Sequence, residues 1–380
     1  MHIRHLAYHS LGLPAVCASL ALPTVYSFHD YYTLCPSVKL IDEAGQFCAG
    51  RCTHTPGPCA SELWDQSEMP DIKNAYVERW RARFQAAIAT CDALVTTAPS
   101  VAELIGRIMP AVAGRLKVIP HGRTFSRFGR ATPYVPGTPF RILVAGDLSR
   151  AKGSALVSEL AHLLRDEGVE IHQLGGYDDG LDTSVVTAHG PYAREEFVTR
   201  AEAIGAHMAL VAPLWAETYC HVLTESWAAG LPVLGRDLGA VGERIAEHGA
   251  GWLFDAADAS LLADAVRFIR DTPEEMEQRR AEVHRWQETE GTDRTAQAMA
   301  DDYAGLYEAI LARRRGLLQR RAPTQKGQGA APAPGRPPAG PGQPPRSPQP
   351  PQTAQPPRPP QPQPPRPNPA LPPQPARAFR

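Results

Sequence analysis

The main body of this 380-residue chain lacks a basic surface. Nine of its 39 Lys and Arg residues, and none of its 40 Asp and Glu residues, fall in 320–380, so residues 1–319 carry 30 positive charges against 40 negative, a net of about −10. That balance excludes a nucleic-acid binder, which needs a basic groove for phosphates. A collagen-like glycine period and a sustained heptad pattern are missing too, and 43% hydrophobic residues exclude a wholly disordered chain. Long apolar runs are scarce. The strongest candidate, Ser10–Phe28, has 19 uncharged residues behind His2, Arg4 and His5, but Pro14 and Pro23 interrupt it. It is readable as a signal peptide with Leu11–Leu22 as its core, or as a marginal span. A soluble parsing fits better: a strand at Ile3–Ala7, a short helix at Leu11–Leu20 and a buried strand at Thr24–Phe28. The end of the chain lacks large side chains. From Pro323 onward only Leu371 and Phe379 are bulky and apolar, and 23 of the 39 prolines lie in 321–380. Such a segment buries too little to offset its ordering entropy, so a disordered, polyproline-II-like tail is expected over 321–380. Pro344-Pro345-Arg346 and Pro364-Pro365-Arg366 would suit an SH3-like partner, although any Pro/Arg tract offers such matches.

What is present is an alternation of strand-like and helix-like segments, the mark of parallel βαβ architecture. Strands are expected at Ala93–Thr97 and Leu116–Ile119 around a helix at Val101–Met109. Arg130–Pro139, rich in Pro, Gly and Thr, reads as a linker. A second series follows, with strands at Arg141–Ala145, Glu170–Leu174, His207–Val211 and Val233–Leu234. Its helices are expected at Ser154–Leu164, Phe197–Ile204 and His221–Ala229, the last stopped by Gly230 before Pro232. Late helices are expected at Ala259–Arg270, Pro273–Thr289 and Arg294–Arg315. The fold class is therefore α/β with two Rossmann-like domains, the first shortened. The expected divisions are 1–132 with a Cys-containing loop at 35–59, a linker at 133–139, a second domain at 140–292, a C-terminal helix at 293–320, and the tail.

In open α/β sheets, ligands bind beyond the carboxyl ends of strands and against helix N-termini. Three segments of the second domain reach that edge. Gly146 ends a strand, and Arg150 and Lys152 stand where the next helix begins, so Lys152 can meet a phosphate; a solvated lysine there is also ordinary. Gly175-Gly176 ends another strand. In Glu217-Thr218-Tyr219-Cys220-His221 through Glu225, a helix starts between two carboxylates. Glu217 lies ahead of it and Glu225 about two turns down, with the N–H groups near Thr218–His221 forming an anion site between them. Glutamates on helix surfaces are equally common without a ligand.

The block Glu217-x7-Glu225 followed by Ala229-Gly230-Leu231-Pro232 resembles the signature of retaining GT-B glycosyltransferases of family 4. Val118-Ile119-Pro120-His121-Gly122, Gly146 to Gly153, Gly239-Ala240-Val241-Gly242-Glu243 and Thr24 to Tyr32 are similar to other pieces of that family, over residues 1–315. The resemblance implies a nucleotide-diphosphate-sugar donor and transfer with retention, with no cofactor required. Glu225 would bind ribose hydroxyls, Glu217 would contact the sugar, and Lys152 with the helix start would stabilise the departing diphosphate. His29 would reach the sugar from the first domain, and the base would lie near Gly190-Pro191-Tyr192. Asp147 stands where the family usually has Arg, so further positive charge is expected from Arg150 or Arg123. Only 28 residues precede His29, which suggests an N-terminally truncated first domain. Hence two alternatives: a catalytically impaired donor-binding fragment or tail-mediated interaction protein, and a GT-B-type nucleotide-sugar epimerase. The implied setting is cytoplasmic, with peripheral placement at the inner membrane face left open. The acceptor and the donor base stay unassigned.

Four of the seven cysteines, Cys35, Cys48, Cys52 and Cys59, fall within 25 residues. Their spacing could supply thiolates to a structural Zn²⁺, with His54 as substitute ligand; reduced thiols and disulfides remain alternatives. Cys17 and Cys91 are expected in the core, as are Trp227 and Trp252. Trp215 borders the proposed site, and His5, His9, His121 and His189 read as lone structural histidines.

Overall fold

The computed structural model describes residues 1–52, 59, 73 and 75–321. His54 and the tail segment from Ala322 onward lie outside the described residues.

A first parallel sheet is built from β1 (His2–Ile3), β2 (Val25–Ser27), β3 (Ala93–Thr96) and β4 (Leu116–Val118), side by side in chain order. Its connections carry α1 (Leu13–Ser19), α2 (Ala75–Ala89), α3 (Pro99–Ile108) and α4 (Pro110–Ala113). The chain then enters a second sheet of β5 (Phe140–Ala145), β6 (Val169–Leu174), β7 (Val186–Ala188), β8 (Met208–Val211), β9 (Val233–Arg236) and β10 (Gly251–Phe254). Its helices are α5 (Ser154–Leu164), α6 (Phe197–Ile204), α7 (His221–Ala228), α8 (Gly239–His248), α9 (Ala259–Asp271), α10 (Pro273–Glu288), α11 (Glu290–Asp293) and α12 (Ala296–Arg321). The spatial order is β10-β9-β8-β5-β6-β7, with all pairs parallel. The strand order reverses between β5 and β8, and that crevice is where a doubly wound sheet offers a ligand site.

The second sheet is covered on both faces, and its central strands β5 and β8 are largely apolar runs. Val144, Ile142 and Phe140 of β5 pack with Val157 and Leu160 of α5 and with Val266 of α9 on one face. On the other, Leu143 and Ala145 meet Phe197, Leu223, Trp227 and Trp286. The first sheet is finished by α12. Leu306 and Ile310, one turn apart on α12, close over Val25, Ala93, Val95 and Ile119, each burial contributing about 2 kcal/mol. Arg314 then forks onto Asp92, with both bonds at 2.8 Å.

The structure shortens or adds some elements relative to the sequence reading. β1 ends at Ile3 instead of Ala7, because the chain turns there and the Ala7 N–H donates to His5 Nδ1 at 2.9 Å. α2, β7, α8 and β10 had no counterpart in the sequence reading. The first two late helices nearly coincide with expectation, while α12 starts at Ala296 after the short α11.

Candidate active site

The carboxyl ends of both sheets converge on a cavity of about 390 Å³. Arg4 follows β1, His29 follows β2 and His121 follows β4; the second half contributes Lys152 beyond β5 and Glu217 to Val222 beyond β8. A ligand here meets one apolar wall, from Val144, Leu210 and Trp215, and one strip of polar groups.

Glycines let the backbone approach. Gly146 has φ +85°, and a Cβ on it would lie 2.8 Å from Val222 Cγ2. At Gly175 (φ +138°) a Cβ would fall 2.3 Å from the Gly146 carbonyl oxygen, so these two strand ends touch only as glycines. Gly153 (φ +90°) ends the turn carrying Lys152 and leads into α5. Half-buried Lys152 therefore reaches the cavity from a helix start, as the sequence suggested.

Arg150 does not join it. Its guanidinium lies outward beside Asp179 at 3.4 Å and is largely exposed. Asp147 does not oppose an anion in the way its charge suggested, since its carboxylate accepts the Gly176 N–H at 3.0 Å and lies outside the cavity lining. Arg123 is also diverted: it pairs with Glu225 and donates to the Arg194 carbonyl at 3.0 Å.

The two carboxylates have different surroundings. Glu217 is half-buried on the cavity wall, and its backbone carbonyl accepts the Ala240 N–H at 3.0 Å. Gly239 has no room for a Cβ, which would lie 2.8 Å from Ala216; the glycine-rich turn thus backs the Glu217 loop. Glu225 is 4% exposed and lies outside the cavity lining. One of its oxygens faces Arg123, and the other accepts the Tyr192 hydroxyl at 2.7 Å. α7 begins at His221, so Glu225 sits one turn into the helix instead of two.

The turn before α7 is fixed by a residue that sequence reasoning missed. Buried Arg244 donates to the carbonyls of Tyr219 (3.0 Å) and Cys220 (3.3 Å) and to Thr224 Oγ1 (2.9 Å), with its guanidinium 4.3 Å from the Tyr219 ring centre. Cys220 adopts a left-handed backbone, φ +67°. Burial first, then the neighbouring Glu217, pushes its thiol up to about 12, so it is neutral at physiological pH. Thr218 joins the two halves: its hydroxyl donates to the His29 carbonyl at 2.7 Å, and its own carbonyl accepts from Thr97 Oγ1 at 2.6 Å. The Tyr219 hydroxyl donates to the His121 carbonyl at 2.8 Å.

The histidines are not all solitary. His121 and His221 face each other with ring centres 4.9 Å apart. Enclosure by the surrounding protein and the nearby cations hold both down at about 4, so each is a neutral ring at pH 7, although part of His221 is open to the cleft. His5 donates through Nε2 to Asp30 at 3.1 Å, because its Nδ1 already accepts the Ala7 N–H. His29 lies 3.7 Å from the same carboxylate, and its pKa is lowered, mainly by burial. His5, His29 and Asp30 are the one group of three or more potential ligands, among the described residues, whose donor atoms all lie within 4.8 Å. The cysteine sulfurs do not meet that spacing, yet Cys35, Cys48, Cys52 and Cys59 all line a second, much smaller cavity. Cys17 and Cys91 are buried as expected; so are Trp227 and Trp252, while Trp215 borders the cavity.

A strand-end pocket at the switch point of the second sheet, facing the strand ends of a smaller parallel sheet, defines the GT-B class. Residues 139–271 match the model of the glycosyl transferases group 1 family. It is similar to a D-inositol 3-phosphate glycosyltransferase of Paenarthrobacter aurescens, 26% identical over 294 residues, covering 67% of this chain and 71% of that protein. A protein of the same description from Streptomyces avermitilis is 25% identical over 251 residues, 58% of this chain and 53% of the relative. Among solved structures, sucrose-phosphate synthase from Thermosynechococcus elongatus shares the fold with a TM-score of 0.56 at 18% identity, over 82% of this chain and 73% of that one. Anabaena Alr3699/HepE in complex with UDP-glucose does so with a TM-score of 0.53 at 14% identity, over 81% and 78%.

Proposed function

We propose that the protein transfers a sugar from a nucleotide-diphosphate-sugar donor to an acceptor with retention of configuration. The observation that carries this reading is the convergence of Lys152, Glu217 and the start of α7 on one wall of the cavity, opposite His29 and Arg4. The diphosphate lies between Lys152 and the free N–H groups of α7, where the helix dipole and the ammonium both favour charge that grows as the glycosidic bond breaks. Neutral His121 and His221 line the same space as hydrogen-bonding groups without adding charge. Glu217 accepts from sugar hydroxyls, and His29 approaches the sugar from the first half. Arg123 and Tyr192 fix the Glu225 carboxylate, which keeps a further lone pair on each oxygen for ribose hydroxyls. The added cation is Arg4, in place of Arg150. Its guanidinium is exposed at the cleft mouth and suits an anionic portion of donor or acceptor. Among the described residues no helix is long and apolar enough to cross a membrane. We place the activity in the cytoplasm, where nucleotide sugars are made.

The test is a thermal-shift series on the full chain with UDP, GDP, ADP and their sugar conjugates, starting with UDP-glucose. A ligand at about 100 times its dissociation constant adds roughly 2.7 kcal/mol. The expected result is stabilisation by one base, lost in Glu225→Ala, with donor hydrolysis or transfer lost in Glu217→Gln. A cooperatively folded chain that no nucleotide stabilises would overturn the reading.

A further inference from the structure

The small cavity lies in the first half, behind the segment that carries His29. It is walled by Cys35, Cys48, Cys52 and Cys59 together with Val77 and Arg81. Its free volume is about 20 Å³, room for one water-sized occupant and no more. Four thiols around space for a single atom is an expensive use of side chains unless something occupies it, since sulfur packs no better there than a methyl group.

The backbone around it is also unusual. Val38, Leu40 and Ala49 have φ of +66°, +55° and +50°, and Gly45 and Gly50 are likewise positive. A β-branched residue in the left-handed region is rare and persists only where its surroundings over-determine it. These positions all lie between Cys35 and Cys52, on either side of Cys48. Cys35 closes a turn in which its carbonyl accepts the Val38 N–H at 3.0 Å. Cys48 leaves a tight reversal bridged at Ile41 and Phe47, and its own carbonyl accepts the Arg51 N–H at 2.9 Å. Arg81 of α2 ties the two turns together, donating to the carbonyls of Leu34 (2.9 Å) and Gly50 (2.7 Å).

We infer that Cys35, Cys48, Cys52 and Cys59 hold one structural Zn²⁺ as four thiolates, clamping the segment after His29 onto α2. Tetrahedral zinc needs sulfurs about 2.3 Å from the ion, closer together than these stand. Binding therefore draws the four sulfurs in from the cavity wall around the ion. As four Zn–S bonds form, four thiol protons pass to solvent, and the Arg81 guanidinium on the cavity wall offsets the negative charge of the tetrathiolate. The site is separate from the proposed donor pocket, so its test does not depend on the activity of that pocket.

The experiment is elemental analysis of the purified full chain, with thiol titration. About one zinc per chain is expected, released in step with mercuration of the thiols, and lost in Cys48→Ser and Cys52→Ser but kept in Cys17→Ser. Should the serine variants fail to fold, protein grown with cobalt decides: tetrahedral cobalt thiolate gives intense sulfur-to-metal charge-transfer and visible d–d bands. Freely titrating thiols without bound metal, thiols lost to disulfides, or iron with visible absorption in place of zinc would each overturn the assignment.

Discussion

The two sheets differ in how much of their geometry is local. Strands of the first sheet are two to four residues long, whereas β5 and β6 of the second are six each. In the second half, Lys152 and Glu217 follow directly from strand ends and glycine turns, with Arg244 securing the loop from within the same half. In the first half, His29 sits beyond a three-residue strand and is held by bonds from the other side of the cleft. Thr218 grips its carbonyl, Tyr219 grips that of His121, and Glu243 accepts the Ser100 N–H at 2.9 Å. The loop before α7 thus has a buried partner within its own half, whereas the segments at His29 and His121 are also bonded across the cleft.

The largest effect that would sharpen this contrast is chemical. Glu217→Gln keeps volume and removes charge, and should lower turnover by about 10²- to 10³-fold, the usual scale for one preorganised polar group. The melting temperature should stay nearly unchanged. Steady-state kinetics beside a melting curve checks this; a fall in kcat below tenfold would remove Glu217 from the reacting centre. Next comes Arg123→Met, which strands the buried Glu225 carboxylate with Tyr192 alone. Breaking a buried pair from one side costs about 3 kcal/mol. Chemical denaturation should show that loss, and Arg123→Met with Glu225→Gln should recover much of it.

One contribution to the pH dependence of stability comes from the core of the second sheet. His207 is buried against Phe140, with rings stacked 5.3 Å apart, and its Nδ1 accepts the Arg141 N–H at 2.8 Å. Burial and then Arg280 and Arg141 hold it at about 4. The unfolded ring protonates near 6.5, so between about pH 6.5 and 4 the unfolded state binds more protons and stability falls as pH falls. The contribution is on the order of 2–3 kcal/mol, fully present above pH 6.5 and lost by about pH 4. Denaturation midpoints across that range should decline, and less steeply in His207→Gln.

The same division governs what could be read from sequence. Strands β5 and β8 are largely apolar, β6 alternates between Gly168 and Gly175, and Lys152 and Glu217 come after strand ends, so pattern located them. β7 is a three-residue edge strand, and β10 opens on Gly251, which hides both from periodicity. Glu225 was legible as a candidate, but its partners lie 102 and 33 residues away, so its burial was not. Arg4 and His5 carry no motif; only the turn after β1 brings one to the cleft and the other to Asp30. Asp147 looked like a misplaced charge because its partner, the Gly176 N–H, belongs to the neighbouring strand end.

The smallest effect tests the dependence of the first half directly. Thr97 and Thr96 are adjacent, both buried, and chemically identical, but only Thr97 spans the cleft. Thr97→Val leaves the Thr218 carbonyl without its donor, at a cost of about 1 kcal/mol or slightly more, a drop of a few degrees in melting temperature. Thr96 Oγ1 is buried with no hydrogen-bond partner among the described residues, so Thr96→Val replaces an unsatisfied hydroxyl by a methyl and should be neutral or stabilising. If alignment of His29 runs through Thr218, Thr97→Val should also lower kcat several-fold while Thr96→Val leaves it unchanged. Equal kinetics for the two variants would mean that the first half holds His29 without help from across the cleft.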